Sequence, residues 1–240
     1  FAILEARESL GGTWDLFRYP GIRSDSDMFT LGYSFRPWPN QKPVADGPEI
    51  LQYLRDTAAE LELDRRIRYG ERVTRLSWST PDACWTVEIS NAKTGSHQSL
   101  RCNFLFMCTG YYDGDAGYTP EFPGVERFLG RIVHPQHWTS DIEYKNKRVV
   151  VIGSGATAMS LVPALAKDAA SVTLLQRSPT YIISLPNEDK ILGKLRKLLP
   201  AKSAAAAMRW KNSLLTLAAY LFMRRFPQRA KELLVEQVSK

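Results

Sequence analysis

An unbroken apolar run, Val149 to Ile152, leads straight into Gly153-Ser154-Gly155-Ala156-Thr157-Ala158. These residue types at this spacing suit the holding of a pyrophosphate. In a strand-to-helix turn of the form G-x-G-x-x-A, the first glycine permits the sharp turn and the second lets backbone approach the phosphates. The small third residue lets the helix pack closely. The following helix offers unpaired N–H groups and the positive end of its dipole to the anion. Such a turn can also serve packing alone. Context favours a nucleotide, because KNKRVVVIGSGATAMSLVPALAKDAASVTLLQRSP reads as strand, glycine turn, helix, strand.

The next strand, SVTLLQ, ends in Gln176 and Arg177, where a site for NAD usually carries Asp or Glu. A carboxylate there repels a ribose 2′-phosphate, whereas a guanidinium pairs with two of its oxygens. The pair therefore predicts NADPH rather than NADH. The alternative is that Arg177 is only a solvated charge at a strand end.

A second nucleotide signature stands at the start. Phe1 to Leu4 is a short apolar run closed by Glu5, followed by the paired glycines Gly11 and Gly12. An acid at the tip of a second strand is where a dinucleotide fold holds a ribose hydroxyl, with its glycine loop roughly 20 residues earlier. Counting back from Glu5 places that loop before residue 1, and no initiator Met, charged leader or cleavage site is present. The expectation is an internal piece of a longer protein.

The positioning elements come next. DGPEILQYLRDTAAELEL predicts a helix from a cap at Asp46 to about Leu63, with Ile50, Leu51, Leu54, Ala58 and Leu61 on one face. RVTRLSWS, CWTVEIS and SLRCNFLFMCTG predict three strands separated by turn-forming PDA and NAKTGSH, a meander inserted in an α/β domain. YYDGDAGYTPEFPG is too rich in Gly, Pro and Asp to be regular. Beyond Pro186, LGKLRKLLP, AAAAMRWKNSLLTLAAYLFMRRF and PQRAKELLVEQVSK predict helices.

The totals set bounds. With 240 residues, 44% hydrophobic and 24% charged, the chain can bury one large core or two modest ones and is neither disordered nor collagen-like. The net charge of +7 is concentrated in KLRKLL, MRRF and QRAK. No basic stripe interleaves with stacking aromatics, so no nucleic-acid partner is predicted. Cys84, Cys102 and Cys108 form no C-x-x-C pair and read as buried thiols in a reducing, cytoplasmic setting. No Cys/His cluster predicts a metal site. The longest apolar stretch, Leu214 to Met223, is about half a membrane span. Flanked by Lys211, Arg224 and Arg225, it suits peripheral membrane contact, although a buried core helix is the favoured reading.

Between the two nucleotide signatures lies FLGRIVHPQHW, with Phe128, Gly130, His134 and Trp138 in the pattern F-x-G-x-x-x-H-x-x-x-W. This fingerprint, with GGTWDLFRYPGIRSDSDMFTLGYSFRPW, CTGYY, VIGSGATA and LQRSPTY, resembles the Baeyer–Villiger monooxygenases within the class B flavoprotein monooxygenases. The likeness extends over nearly the whole chain, most loosely after Asn187. Thr139, where members often have Pro or Asp, is a small departure.

The resemblance implies an α/β chain of two dinucleotide-binding (Rossmann-like) folds, the first lacking its N-terminal βα unit, with a β-meander and a C-terminal helical insertion. Residues 1–145 would belong to the FAD domain, 146–186 to the NADP domain and 187–240 to the insertion. It implies FAD contacts at Glu5 for the ribose, Thr13, Trp14, Asp15, Leu16 and Asp25 along the flavin, Val73 near the adenine, and Thr109 and Gly110 ending a strand. It implies NADP contacts at Arg23, Ser24 and Asp25, at Gly153 to Ala158, and at Gln176 and Arg177. Asp25 would serve catalysis, and His134 would couple NADP position to domain closure. The family's main catalytic arginine would fall beyond residue 240, so the chain alone is expected to be inactive.

The implied reaction oxidises NADPH, takes up O2 and inserts one oxygen atom into a ketone, giving an ester or lactone, with S-oxygenation of sulfides alongside. Two alternatives stay open: an N- or S-oxygenating flavin-containing monooxygenase with the same cofactors, and an NADP-binding fragment without turnover. A disulfide reductase would need a redox cysteine pair, which the sequence lacks.

Overall fold

The computed structural model describes residues 1–178, 182 and 189–238. In chain order the strands and helices are β1 (Ile3–Glu5), α1 (Thr13–Leu16), α2 (Met28–Leu31), α3 (Gly47–Glu60), β2 (Ile67–Tyr69), β3 (Glu71–Ser79), β4 (Cys84–Asn91) and β5 (His97–Cys102). They continue with β6 (Arg148–Ile152), α4 (Ala156–Leu165), β7 (Ser171–Leu175), α5 (Lys190–Leu198), α6 (Ala201–Arg225) and α7 (Pro227–Val238). The chain divides into two compact units. One joins Phe1–Arg18 to Leu51–Trp138; the other joins Tyr19–Ile50 to the described residues from Thr139 onward.

In the first unit β1 and β2 pair in parallel, with Glu5 opposite Tyr69. The meander is an antiparallel sheet of order β3-β4-β5. Its strands alternate as a half-buried sheet should: Val87 and Ile89 are buried and Glu88 between them is exposed. Trp78 and Trp85, register partners, meet with ring centroids 5.4 Å apart and planes tilted by 55°.

The second unit contains the expected βαβ sequence. β6 and β7 are parallel, Ile152 faces Leu175, and α4 joins them. α4 buries Ala158, Leu161 and Leu165. In the helical part, Ala204 and Met208 of α6 are fully buried, and α6 packs against α2, whose Met28 and Phe29 are also buried. Asn212 donates to Asp27 Oδ1 at 2.8 Å, and Arg209 donates to the Phe29 and Gly32 carbonyls.

Several expectations are corrected. The strand predicted through Phe104–Thr109 stops at Cys102. An apolar run of that kind needs ladder partners on its edges; the described strands offer none, and Phe104, Phe106 and Met107 stand exposed. Thr109 and Gly110 therefore do not end a strand. Leu214–Met223 is helical but not a buried core helix: Leu214, Leu215, Leu217, Leu221 and Met223 are exposed, because α2 covers only the earlier turns of α6. Of the three thiols only Cys84 is buried; Cys102 is half-buried and Cys108 exposed.

α3 ends at Glu60 and begins at Gly47. The Asp46 carboxylate pairs with Lys42 at 2.9 Å instead of capping the helix. It is Glu49 that reaches back to the Asp46 N–H, at 3.2 Å, forming half of a capping box. Residues 179–181 of LQRSPTY and the boundary placed at 186–187 lie outside the described residues.

Candidate functional site

The glycine turn has the conformation its sequence requires. Gly153 has φ +112, a region that L side chains rarely adopt. Gly155 is different: its φ of −77 and ψ of −178 suit any residue, and a Cβ there would meet no protein atom within 4 Å. Neither backbone strain nor packing among the described residues asks for glycine at 155, and the open space there leaves room for close approach of a ligand. Gly155 is also the N-cap of α4, and no side chain caps that end. Ala158 is buried, so its small size does serve helix packing. The residues present thus fit a dinucleotide pyrophosphate.

The Gly153 N–H donates to the Leu175 carbonyl at 2.8 Å. That bond extends the β6–β7 pairing by one step and brings Gln176 and Arg177, both exposed, beside the turn. The Arg177 position is therefore appropriate for a group on the ribose of a nucleotide held at Gly153–Ala158.

Arg23, Ser24 and Asp25 form a tight turn in the same unit. Arg23 bridges Asp46 in a short antiparallel pairing, with Ser24 N–H on the Ala45 carbonyl at 2.9 Å and Gly47 N–H on the Ile22 carbonyl at 2.8 Å. Ser24 is buried; its Oγ donates to the Ser26 carbonyl at 2.6 Å and accepts from the Ser26 N–H. The Arg23 and Asp25 side chains project to solvent. Nearby, α2 and α6 border an open groove of about 520 Å³, lined by Ser26, Asp27, Thr30, Ser213, Leu217 and Tyr220. Nothing in the sequence pattern pointed to this groove.

The residues assigned to FAD, Asp25 apart, all fall in the first unit. Glu5 ends β1 half-buried, and its carboxylate accepts the Arg7 N–H at 2.9 Å. Tyr69, its register partner, has its hydroxyl pKa raised by burial and by the Asp64 and Glu5 carboxylates. Thr13, Trp14 and Leu16 are half-buried on α1, and Val73 lies at a bulge in β3, 38% exposed.

Asp15 stands apart from its neighbours on α1. It is 2% exposed and receives Arg7 at 2.5 Å, Ser9 at 2.6 Å, and Arg18 and Arg55 at 3.4 Å each. Burial pushes its carboxyl up, but the hydrogen bonds from Ser9 and Arg7 and the charges of Arg7 and Arg18 outweigh that, holding it below the usual carboxylate range. Its oxygens face this cationic cluster and hold the arginines together. No sequence motif pointed to this cluster, since Arg55 is 40 residues away from Asp15.

The fingerprint residues are disposed around a 3₁₀ turn over Pro135–His137. His134 caps it, its Nδ1 accepting the Gln136 N–H at 3.2 Å. Gln136 is buried and donates to the Asp113 carbonyl at 2.7 Å. The His134 ring lies against Gly117, where a Cβ would overlap it. The irregular 110–124 stretch is thereby tied to the fingerprint, and Arg72 adds an ion pair to Asp115 at 2.7 Å. Phe128 is 61% exposed and covers the Cα of Gly130; Trp138 is half-buried. Among the described residues no group of three His, Cys, Asp or Glu side chains could hold a metal ion, and no helix is long and apolar enough to cross a membrane.

A βαβ unit with an open glycine turn, and a second strand ending in an acid, define a dinucleotide-binding α/β protein of the Rossmann type. The chain belongs to the flavin-binding monooxygenase-like family, which matches residues 22–192. It is 52% identical over 241 residues to the FAD-containing monooxygenase EthA of Mycobacterium tuberculosis, covering 100% of this chain and 49% of that protein. Among solved structures it resembles an oxidised steroid monooxygenase bound to NADP, at 32% identity and TM-score 0.69, over 86% of this chain and 38% of that one. It also resembles OTEMO in complex with FAD and NADP, at 29% identity and TM-score 0.68, over 85% and 38% respectively. The chain spans about half the length of the curated relatives it matches.

Proposed function

We propose that the chain is the cofactor-holding part of an FAD- and NADPH-dependent monooxygenase that inserts one oxygen atom of O2 into ketones, and into sulfides as a secondary activity. The observation that carries the reading is Gly155, a glycine that neither backbone strain nor packing among the described residues explains, at the uncapped start of α4. The relatives named for FAD and the solved structures holding FAD and NADP support the same cofactors here.

In this reading Gly153 to Ala158 hold the NADP pyrophosphate and Arg177, with Gln176, selects the 2′-phosphate. Arg23, Ser24 and Asp25 meet both cofactors. Glu5 holds the FAD ribose, with Thr13, Trp14, Asp15, Leu16, Val73, Thr109 and Gly110 along FAD, and Asp15 also holds Arg7, Arg18 and Arg55. Two Rossmann-like folds divide near residue 145, and the helices from 187 form an insertion. Bound flavin supplies the oxygen-transfer chemistry; the chain orients the nucleotides and excludes water.

Titrating the complete protein with NADPH and NADH, then identifying products from a cyclic ketone and a thioether, tests the proposal. Ester or lactone formation with a clear NADPH preference is expected. Oxygenation at sulfur or nitrogen alone would replace it with the flavin-containing monooxygenase reading.

A further inference from the structure

The hydroxyls of Tyr19 and Ser160, 141 residues apart in sequence, meet at 3.3 Å, and both residues are buried, 7% and 4% exposed. Ser160 lies on α4 five residues beyond Gly155, roughly 7.5 Å along the helix axis at 1.5 Å per residue. Tyr19 precedes Arg23 by four residues. The contact therefore links the helix that starts at the glycine turn to the segment carrying Arg23, Ser24 and Asp25.

The surrounding geometry makes this link stiff. The Ser160 Oγ also lies 3.2 Å from the Ala156 carbonyl and 3.0 Å from that of Thr157, so its rotamer is held by the first turn of α4. Gly21, with φ +80, rests directly on the helix: a Cβ there would overlap the Ser160 carbonyl and come within 2.8 Å of the Ala164 methyl. Just after it, the Ile22 carbonyl and the Ser24 N–H are fastened to Gly47 and Ala45. Arg23 is suspended between these anchors. Moving it relative to α4 would break either the Gly21 seat or the Ala45–Gly47 pairing.

We propose that the Tyr19–Ser160 hydrogen bond is a positioning device that sets the register of the Arg23–Ser24–Asp25 turn along α4. A dinucleotide held at the N-terminus of α4 then meets Arg23 and Asp25 at a fixed distance from its phosphates. Tyr19 and Ser160 are positioning residues acting through Arg23 and Asp25, not catalytic ones. The proposal deepens the reading of Gly153–Ala158 as the NADP turn and rests on it.

The test uses the complete holoenzyme carrying Ser160→Ala, Tyr19→Phe, both together, or Ser160→Thr. In the parent, NADP+ is expected to slow amide hydrogen exchange of the Ile22–Asp27 peptide, and in the Ala and Phe variants this protection is expected to vanish. NADP+ affinity by fluorescence titration should stay within about threefold, while flavin reduction by NADPH slows about tenfold, as small misplacements of reacting groups do. The double variant should be no worse than either single one, as for a shared contact, and Ser160→Thr should keep parental behaviour. Unchanged exchange protection and reduction rate in Ser160→Ala and Tyr19→Phe would overturn the proposal. So would a loss of affinity with no change in the reduction rate, or fully additive effects. A parent protein that fails to bind NADP+ at all would overturn the nucleotide reading and this proposal with it.

Discussion

Gly153 donates its N–H to the Leu175 carbonyl at 2.8 Å, placing the glycine turn and the end of β7 side by side. Arg177 follows two residues later and is exposed. If it grips a ribose 2′-phosphate, its loss removes a charge-assisted contact that NADH never makes. Arg177→Ala is expected to raise the KM for NADPH about 10- to 100-fold, the equivalent of about 1.5–3 kcal/mol for a hydrogen bond to a charged group. The KM for NADH should stay unchanged. Steady-state kinetics with both nucleotides check this; equal losses for the two would show that Arg177 contacts something they share.

The two glycines of the turn should separate in their effects. Gly153→Ala puts a side chain at φ +112 and is expected to destabilise the fold by about 1–3 kcal/mol. Gly155→Ala adds a methyl to open space at a permitted conformation, so its melting temperature should match the parent's. If the pyrophosphate approaches along this backbone, NADP+ binding should nonetheless fall at least tenfold. Thermal melts and NADP+ titrations on the same samples distinguish the two cases.

Asp15 predicts an acid-sensitive fold. Its carboxyl pKa is lowered from the ordinary 3.8, so its contribution is fully present above that value and is lost as pH falls through the depressed folded value. Asp15→Asn leaves Arg7, Arg18 and Arg55 facing one another without their shared anion. A cost of about 2–4 kcal/mol at neutral pH is expected, below the full penalty of a wholly buried pair because the arginines are partly solvated. The difference between parent and variant should begin to shrink as pH falls below the ordinary 3.8, where the unfolded chain takes up the proton first, and should vanish only once the folded carboxyl itself protonates at lower pH. Urea unfolding across pH 3–7 measures both.

Local patterns were legible where a local rule governs them. The βαβ unit, α3 and the meander follow from hydrophobic period and turn residues, and Gly153 follows from its required backbone angle. What escaped was decided across distance. Whether Phe104–Cys108 joins a sheet depends on neighbouring strands, not on its own β-propensity. Whether Leu214–Met223 is covered depends on what packs against it, and α2 reaches only the first part of α6. The cluster around Asp15 is likewise assembled across distance, since Arg7 and Arg55 determine where its carboxylate faces. The Tyr19–Ser160 contact carries no sequence signal, since two hydroxyls 141 residues apart form no motif.

The fingerprint supplies a last prediction through Gln136, which its sequence pattern treats as a filler position. Its amide is buried and donates to the Asp113 carbonyl at 2.7 Å, while its own N–H satisfies the His134 cap. Truncation to Ala keeps the cap but removes a side-chain hydrogen bond from the Pro135–His137 turn to the 110–124 stretch. The loss should cost about 0.5–1.5 kcal/mol, the net worth of an ordinary hydrogen bond, because Asp113 is exposed and its carbonyl can turn to water. Released from this tie, the 110–124 stretch should be cut faster by a protease under native conditions, with the meander remaining resistant. If the fingerprint couples nucleotide position to turnover through that stretch, Gln136→Ala should also raise the fraction of NADPH consumed without product. Faster cleavage with fully coupled turnover would separate the two roles and leave Gln136 as an architectural residue only.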